Sequence, residues 1–155
     1  MAEPGSNQLR VRLVTPERIL FEHAATAVEL PAKNGCMEVL VGHAPLMAEL
    51  GAGDVIVHCA PESASDVDKC GPTGESRYNV SWGFVEVLPG RVTILASDAL
   101  KPEEIDLQRA QQQLDRGQKM WKEAGDSEDA YTEALHVISE AEAKISSSAE
   151  VTKAH

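Results

Sequence analysis

"RYNVSWGFVEVLPGRVTILAS", residues 77–97, decides the fold. Two runs rich in β-branched and aromatic residues are separated only by Pro89 and Gly90, a turn dipeptide too short for anything but a return in the opposite direction. The stretch therefore reads as two neighbouring antiparallel strands. Working outward, "QLRVRLV" (8–14) puts Leu9, Val11 and Leu13 on one face and Arg10 and Arg12 on the other, the alternation of a half-buried strand. "RILF", "TAVEL", "MEVLV", "LMAEL" and "VIVHC" follow as further short runs, broken by the turn signals "TPER", "PAKNG" and "GAGD". The polar, aperiodic stretch from Ala60 to Ser76 reads as a long hairpin loop. Short strands at this spacing predict a β-sandwich or flattened barrel, mostly antiparallel because its connections are short.

The composition changes near residue 100. Beyond it there is one proline, Pro102, and Ala, Glu, Gln and Leu dominate. Pro102 suits a first helical position, and Glu103 and Glu104 suit the positive end of a helix. A stripe runs through Leu107, Ala110, Leu114, Gly117, Trp121 and Ala124; a second runs through Tyr131, Ala134, Ile138, Ala141 and Ile145. Between them Gly125 reads as a stop and Asp126 or Ser127 as the next cap. Two such stripes joined by a tight turn predict an antiparallel helix hairpin. The expected class is α+β, with a sandwich over 1–100 and a helical hairpin over 101–155. Half the seam is Ala or Gly, so it buries few methylenes at about 0.8 kcal/mol each and the hairpin should be held by only a few kcal/mol.

Composition excludes several functions. With 25 acidic residues against 14 Lys and Arg the net charge is −11, unsuited to nucleic acid or an anionic lipid surface. No run approaches the ~20 apolar residues that span a bilayer, and the N-terminus lacks signal-peptide features. The expectation is a soluble protein of a reducing compartment, with no nucleic acid partner and no direct membrane insertion. Cys36, Cys59 and Cys70 form an odd set without C-x-x-C spacing, so neither a disulfide framework nor a metal site is indicated. No phosphate loop, nucleophile elbow or zinc-protease motif occurs. His43 stands in the otherwise apolar "GCMEVLVGHAPLMAEL" (35–50). Cys36 lies near it in sequence, but an orienting Asn or Asp and an oxyanion hole cannot be pointed to, so a hydrogen-bonded turn residue is the better reading.

"GCMEVLVGHAPLMAELGAGDV", "SWGFVEVLPGRVTILAS" and "EEIDLQRAQQQLDR", in that order, resemble the epsilon subunit of bacterial and chloroplast F-type ATP synthases, from Leu9 to about Ile145; the mitochondrial delta subunit is a relative. The resemblance implies a ten-stranded antiparallel β-sandwich followed by a two-helix hairpin on the central stalk of a rotary motor. The implied protein is a non-catalytic rotor subunit, peripheral to the cytoplasmic side of a bacterial membrane. Its implied partners are the gamma subunit, the c-ring, and the catalytic beta subunit when the hairpin extends to block hydrolysis. Gly35, Cys36, Met37, Glu38, Gly42 and His43 match the ring-facing segment, although the family's G-E-x-G and Pro-Gly-His are here Gly35-Cys36-Met37-Glu38 and Val41-Gly42-His43, displacing the acidic group. Ile105, Asp106, Arg109 and Ala110 reproduce an I-D-x-x-R-A signature, with Arg116 on the same helix face. Some bacterial relatives bind ATP there. With Glu140 at a position where relatives carry Arg, no resident cofactor is expected and ATP should bind weakly, on the order of millimolar. The alternative is a free-standing sandwich module whose hairpin makes a homodimer.

Overall fold

The computed structural model describes residues 7–60 and 74–154, the side chains of 151–154 excepted. The chain divides into two compact units, Met1–Ala99 and Leu100–His155.

The first unit contains seven strands: β1 (Leu9–Val14), β2 (Ile19–Ala32), β3 (Gly35–Leu40), β4 (Leu46–Leu50), β5 (Gly53–Cys59), β6 (Glu75–Leu88) and β7 (Arg91–Leu100). The β-sandwich class holds, but the described strands number seven rather than ten, because two of them are long. β2 runs unbroken for 14 residues where the sequence suggests two runs, "RILF" and "TAVEL". Its first half pairs with β1 and its second half with β3 and β5, so the intervening Ala24, Ala25 and Thr26 are held extended by neighbours rather than by their own propensity. β6, also 14 residues, pairs with β5 early and β4 late. The part of the predicted Ala60–Ser76 loop that is described is already strand from Glu75; most of that loop lies outside the described residues.

The pairings close a ring: β1–β2, β2–β5, β5–β6, β6–β7 and β7–β1. All the registers given are antiparallel except β1–β7, which is parallel and sets Arg10 opposite Arg91 and Arg12 opposite Thr93. Inside the ring, Leu9, Val11, Leu13, Phe21, Val28, Leu30, Val80, Val85, Val92 and Ile94 are buried, each being the inward member of an alternating strand. Gly83 marks the tightest point. Its φ is +142°, and a Cβ there would lie 1.9 Å from the Leu95 carbonyl oxygen, so only glycine lets β6 and β7 meet.

The second unit opens with a 3-10 turn, Pro102–Glu104, then α1 (Leu107–Glu123) and α2 (Glu128–Ala154). α1 begins five residues after Pro102, with Asp106 as its cap: the Arg109 amide donates to Asp106 Oδ1 at 3.2 Å. Gly125, at φ +58°, ends the first helix, and Ser127 Oγ accepts from the Ala130 amide to start the second. The predicted seam is only half right. Ala110, Gly117, Ala124, Ala134 and Ala141 are buried, joined by Ser147 from beyond the predicted stripe, whereas Leu107, Trp121 and Tyr131 are exposed. At Gly117 a Cβ would sit 2.8 Å from Ile138 Cγ1, so the helices approach too closely for large side chains between them. Trp121 and Tyr131 instead lie against each other, ring centroids 6.1 Å apart.

Candidate functional site

The segment singled out by the sequence is an edge strand. β3 pairs only with β2 among the described strands, leaving its other side unpaired and open to a partner. Along it Val39 is buried, Met37 is half-buried, and Cys36, Glu38 and Leu40 are exposed. Cys36 is a free thiol. Glu38 lies opposite Glu29 of β2, and Glu29 is in turn paired with His58.

The six residues do not form one cluster. Gly35, at φ +134°, opens the strand, whereas Gly42, at φ +82°, lies past its far end at Leu40, which is itself roughly 17 Å from Gly35 for five extended steps. The far end is firmly built. The Gly42 amide donates to the Pro89 carbonyl at 2.8 Å, and the His43 amide donates to the Leu40 carbonyl at 3.2 Å. His43 Nδ1 lies 2.7 Å from the Ala44 carbonyl oxygen, which makes Nδ1–H the donor. His43 thus fixes a turn, and no nucleophile among the described residues is hydrogen-bonded to it.

The adjacent His58 and Cys59 are both engaged. The His58 ring lies between two carboxylates, Nε2 2.8 Å from Glu29 and Nδ1 3.3 Å from Glu75. Cys59 is disulfide-bonded, a correction to the expectation that no disulfide is indicated: an odd cysteine count does not exclude one bridge. On α1, Arg109 and Arg116 are exposed, and Asp106 is occupied as the helix cap. Ala110 is buried in the seam and Ile105 is half-buried. Glu140 is neutralised by Lys144 at 3.0 Å, both on α2.

One surface was missed in the sequence. Apolar side chains stand at outer positions of neighbouring strands: Ile19 of β2 opposite half-buried Val14 of β1, Val14 opposite Leu95 of β7, and exposed Phe84 of β6 and Met47 of β4, which lie diagonally, Phe84 facing Glu49 and Met47 facing Glu86. Met47 is 67 % exposed and Phe84 52 %. Each strand taken alone shows only one such residue. The row exists because strand pairing brings them near one another, and pairing is not readable from a single run.

An edge strand with one free side, a built turn at its end and an apolar row on an outer face are features of a docking protein. The pattern of the family described as "ATP synthase, Delta/Epsilon chain, beta-sandwich domain" matches residues 8–102. The ATP synthase epsilon chain of Koribacter versatilis is 38 % identical over 114 residues, 73 % of this chain and 71 % of that one. That of Solibacter usitatus is 38 % identical over 112 residues, 72 % and 74 % of the two chains. A chain in the cryo-EM structure of the Euglena gracilis mitochondrial ATP synthase, OSCP/F1/c-ring, shares the fold with a TM-score of 0.71 at 19 % identity, covering all of this chain and 87 % of that one. The chain belongs to the ATP synthase epsilon chain family, and is a non-catalytic subunit of the complex. No helix among the described residues is long and apolar enough to cross a membrane.

Proposed function

We propose that the sandwich docks the gamma subunit through the apolar row and the c-ring through the β3 edge, so that ring rotation is passed to the catalytic head. The observation that carries this reading is the row itself. Phe84, Leu95, Ile19 and Met47 are each 48 % or more exposed on one face, an apolar surface of the kind that marks a protein interface. In this reading the protein is peripheral to the cytoplasmic side of a bacterial membrane, held there by its partners. The test is co-purification of the tagged chain with membrane ATPase. Phe84→Glu with Leu95→Glu should remove gamma from the recovered complex. Met37→Lys with Glu38→Lys should retain gamma and reduce ATP-driven proton pumping; unimpaired pumping would refute the assignment of the edge.

The hairpin is the proposed regulatory arm, extending to contact the beta subunit. Its close, small-residue seam supports this, since burying few methylenes makes separation inexpensive. ATP binds it weakly at most in this proposal: Arg109 and Arg116 can grip phosphate, but Asp106 already caps the helix and the Glu140–Lys144 pair supplies no free cation. Titration with Mg-ATP should show no saturation in the micromolar range, and saturation there that is lost in Arg109→Ala would refute it.

A further inference from the structure

The outer face that carries the apolar row turns basic toward the Pro89–Gly90 turn. Arg10, Arg12 and Arg91 line an open hollow of about 870 Å³ whose other walls include Glu22, Leu88 and Pro89. The parallel register puts Arg10 directly opposite Arg91, a like-charge neighbour pair that is unfavourable unless something anionic lies over it. Glu22 answers only part of that charge. Its Oε1 accepts from Arg10 Nε and Nη2 at 3.2 and 3.0 Å, and Arg12 Nη2 is 3.4 Å from both of its oxygens. One carboxylate thus serves two guanidiniums, and among the described residues Arg91 reaches only Glu86, at 3.5 Å. The Arg10 hydrogen bonds, helped by the Arg12 charge, hold the Glu22 carboxyl below the usual glutamate range. In a chain of net charge −11, concentrating three arginines on one hollow is a local reversal of sign.

The hollow is continuous with the built end of the docking edge. The Arg10 amide donates to the Gly90 carbonyl at 2.9 Å, and the Gly42 amide donates to the neighbouring Pro89 carbonyl at 2.8 Å. A partner on that turn is therefore within reach of the arginines.

We propose that this arginine hollow seats an acidic segment of a protein partner, whose carboxylates complete the pairing that Glu22 leaves half satisfied. The proposal rests on the reading of the sandwich as a docking body and adds the chemistry of what docks. Guanidinium pairs take carboxylates in bidentate fashion, and the aliphatic floor of Leu88 and Pro89 suits the methylenes of Glu side chains. A phosphate-rich ligand fits less well, because Glu22 sits within the hollow and repels multiple charge. An anionic membrane fits less well still. Attraction to lipid depends on a field extending over a Debye length, about 8 Å at physiological salt, and the chain as a whole carries a net charge of −11.

The full-length chain, isotope-labelled, is titrated with an acetylated hexaglutamate peptide and followed by amide NMR. The expected result is saturable shifts confined to the amides of 10–12 and 91–93. Affinity should fall at least fivefold between 20 and 150 mM salt, and at least fivefold in Arg12→Gln and in Arg91→Gln. Lys33→Gln, a substitution in an exposed pair with Glu49, should bind like the wild type. Because Arg91 has only an exposed partner, its variant tests binding even if Arg12→Gln disturbs the strand, and unchanged core amide shifts verify folding in both. No saturable shift, or shifts indifferent to these substitutions, overturns the proposal. So does tighter, arginine-dependent binding of tripolyphosphate or of phosphatidylglycerol vesicles, which would make phosphate the ligand. Gamma co-purification is scored separately, so the hollow can fail while the docking body stands, and the reverse.

Discussion

Replacing Gly83 with alanine should be among the most damaging single-methyl changes this protein can suffer. Two costs combine. At φ +142° an L-residue occupies a region that is essentially glycine's alone, costing about 1–3 kcal/mol. The new Cβ would also fall 1.9 Å from the Leu95 carbonyl oxygen and 3.0 Å from Ala96 Cα. Those are backbone atoms, so relief requires β6 and β7 to part, which adds about 1–3 kcal/mol as for other overpacked sites. The expected loss is about 3–5 kcal/mol, a large fraction of the ~5–15 kcal/mol that stabilises a typical domain. For a unit of this size it lowers Tm by roughly 15–30 °C. Gly35 separates the two contributions: its φ is +134°, but nothing lies within 4 Å of the added Cβ. Gly35→Ala should therefore cost only the strain, about 1–3 kcal/mol. The measurement is urea unfolding in a Trp121→Phe background, where Trp82 is the remaining tryptophan and reports the sandwich. If Gly83→Ala lies within about 1 kcal/mol of Gly35→Ala, the overlap with Leu95 contributes little and the reasoning fails.

Three further outcomes are expected. Ser147 is 1 % exposed and its Oγ has no hydrogen-bond partner among the described residues, so Ser147→Ala should stabilise the hairpin by about 1 kcal/mol, seen as a later loss of helical CD on heating. Glu22 has a lowered pKa in the folded state, so it contributes stability above the unfolded glutamate range that is lost as pH falls through the folded value; Glu22→Gln should destabilise at pH 7 and be neutral once the wild-type carboxyl is protonated, measured by urea unfolding at both pH values. Deleting residues 102–155 from the assembled enzyme should raise ATP hydrolysis modestly and leave synthesis intact, and an activation that is large and persists at high salt would show that shape rather than charge sets the block.

Much of the architecture was legible. Alternation at Leu9, Val11 and Leu13, the Pro89–Gly90 turn and the stop at Gly125 are local signals, and local interactions produced those elements. What was not legible depends on partners distant in sequence. The extended path through Ala24 and Ala25 is imposed by β1 and β5, and the parallel β1–β7 pair arises from ring closure rather than from a short connection. The hairpin stripe misplaced Trp121 and Tyr131 because periodicity gives a face but not its width; the contact at Gly117 sets the helices too close to cover them. At the β3 edge, the motif groups His43 and Gly42 with Gly35, which the extended strand carries to the opposite end. The arginine hollow escaped notice because Arg10 and Arg12 look like the ordinary wet side of a strand until Arg91 is brought beside them.

The parallel strand pair has a mechanical consequence. β7 is bonded on both flanks, to β1 and to β6, and the chain leaves it at Leu100 while β1 begins at Leu9. Because the strands run the same way, a pull between those points acts along the ladder and not across it. The hydrogen bonds from Arg10 to Val14 then share the load simultaneously, instead of opening one after another from a frayed end. A body stitched in this manner resists as a stiff shear joint up to its limit and then yields at once, with its lifetime under load set by its unfolding rate. For a component carried around by a turning shaft, that means little elastic lag between driving and driven ends.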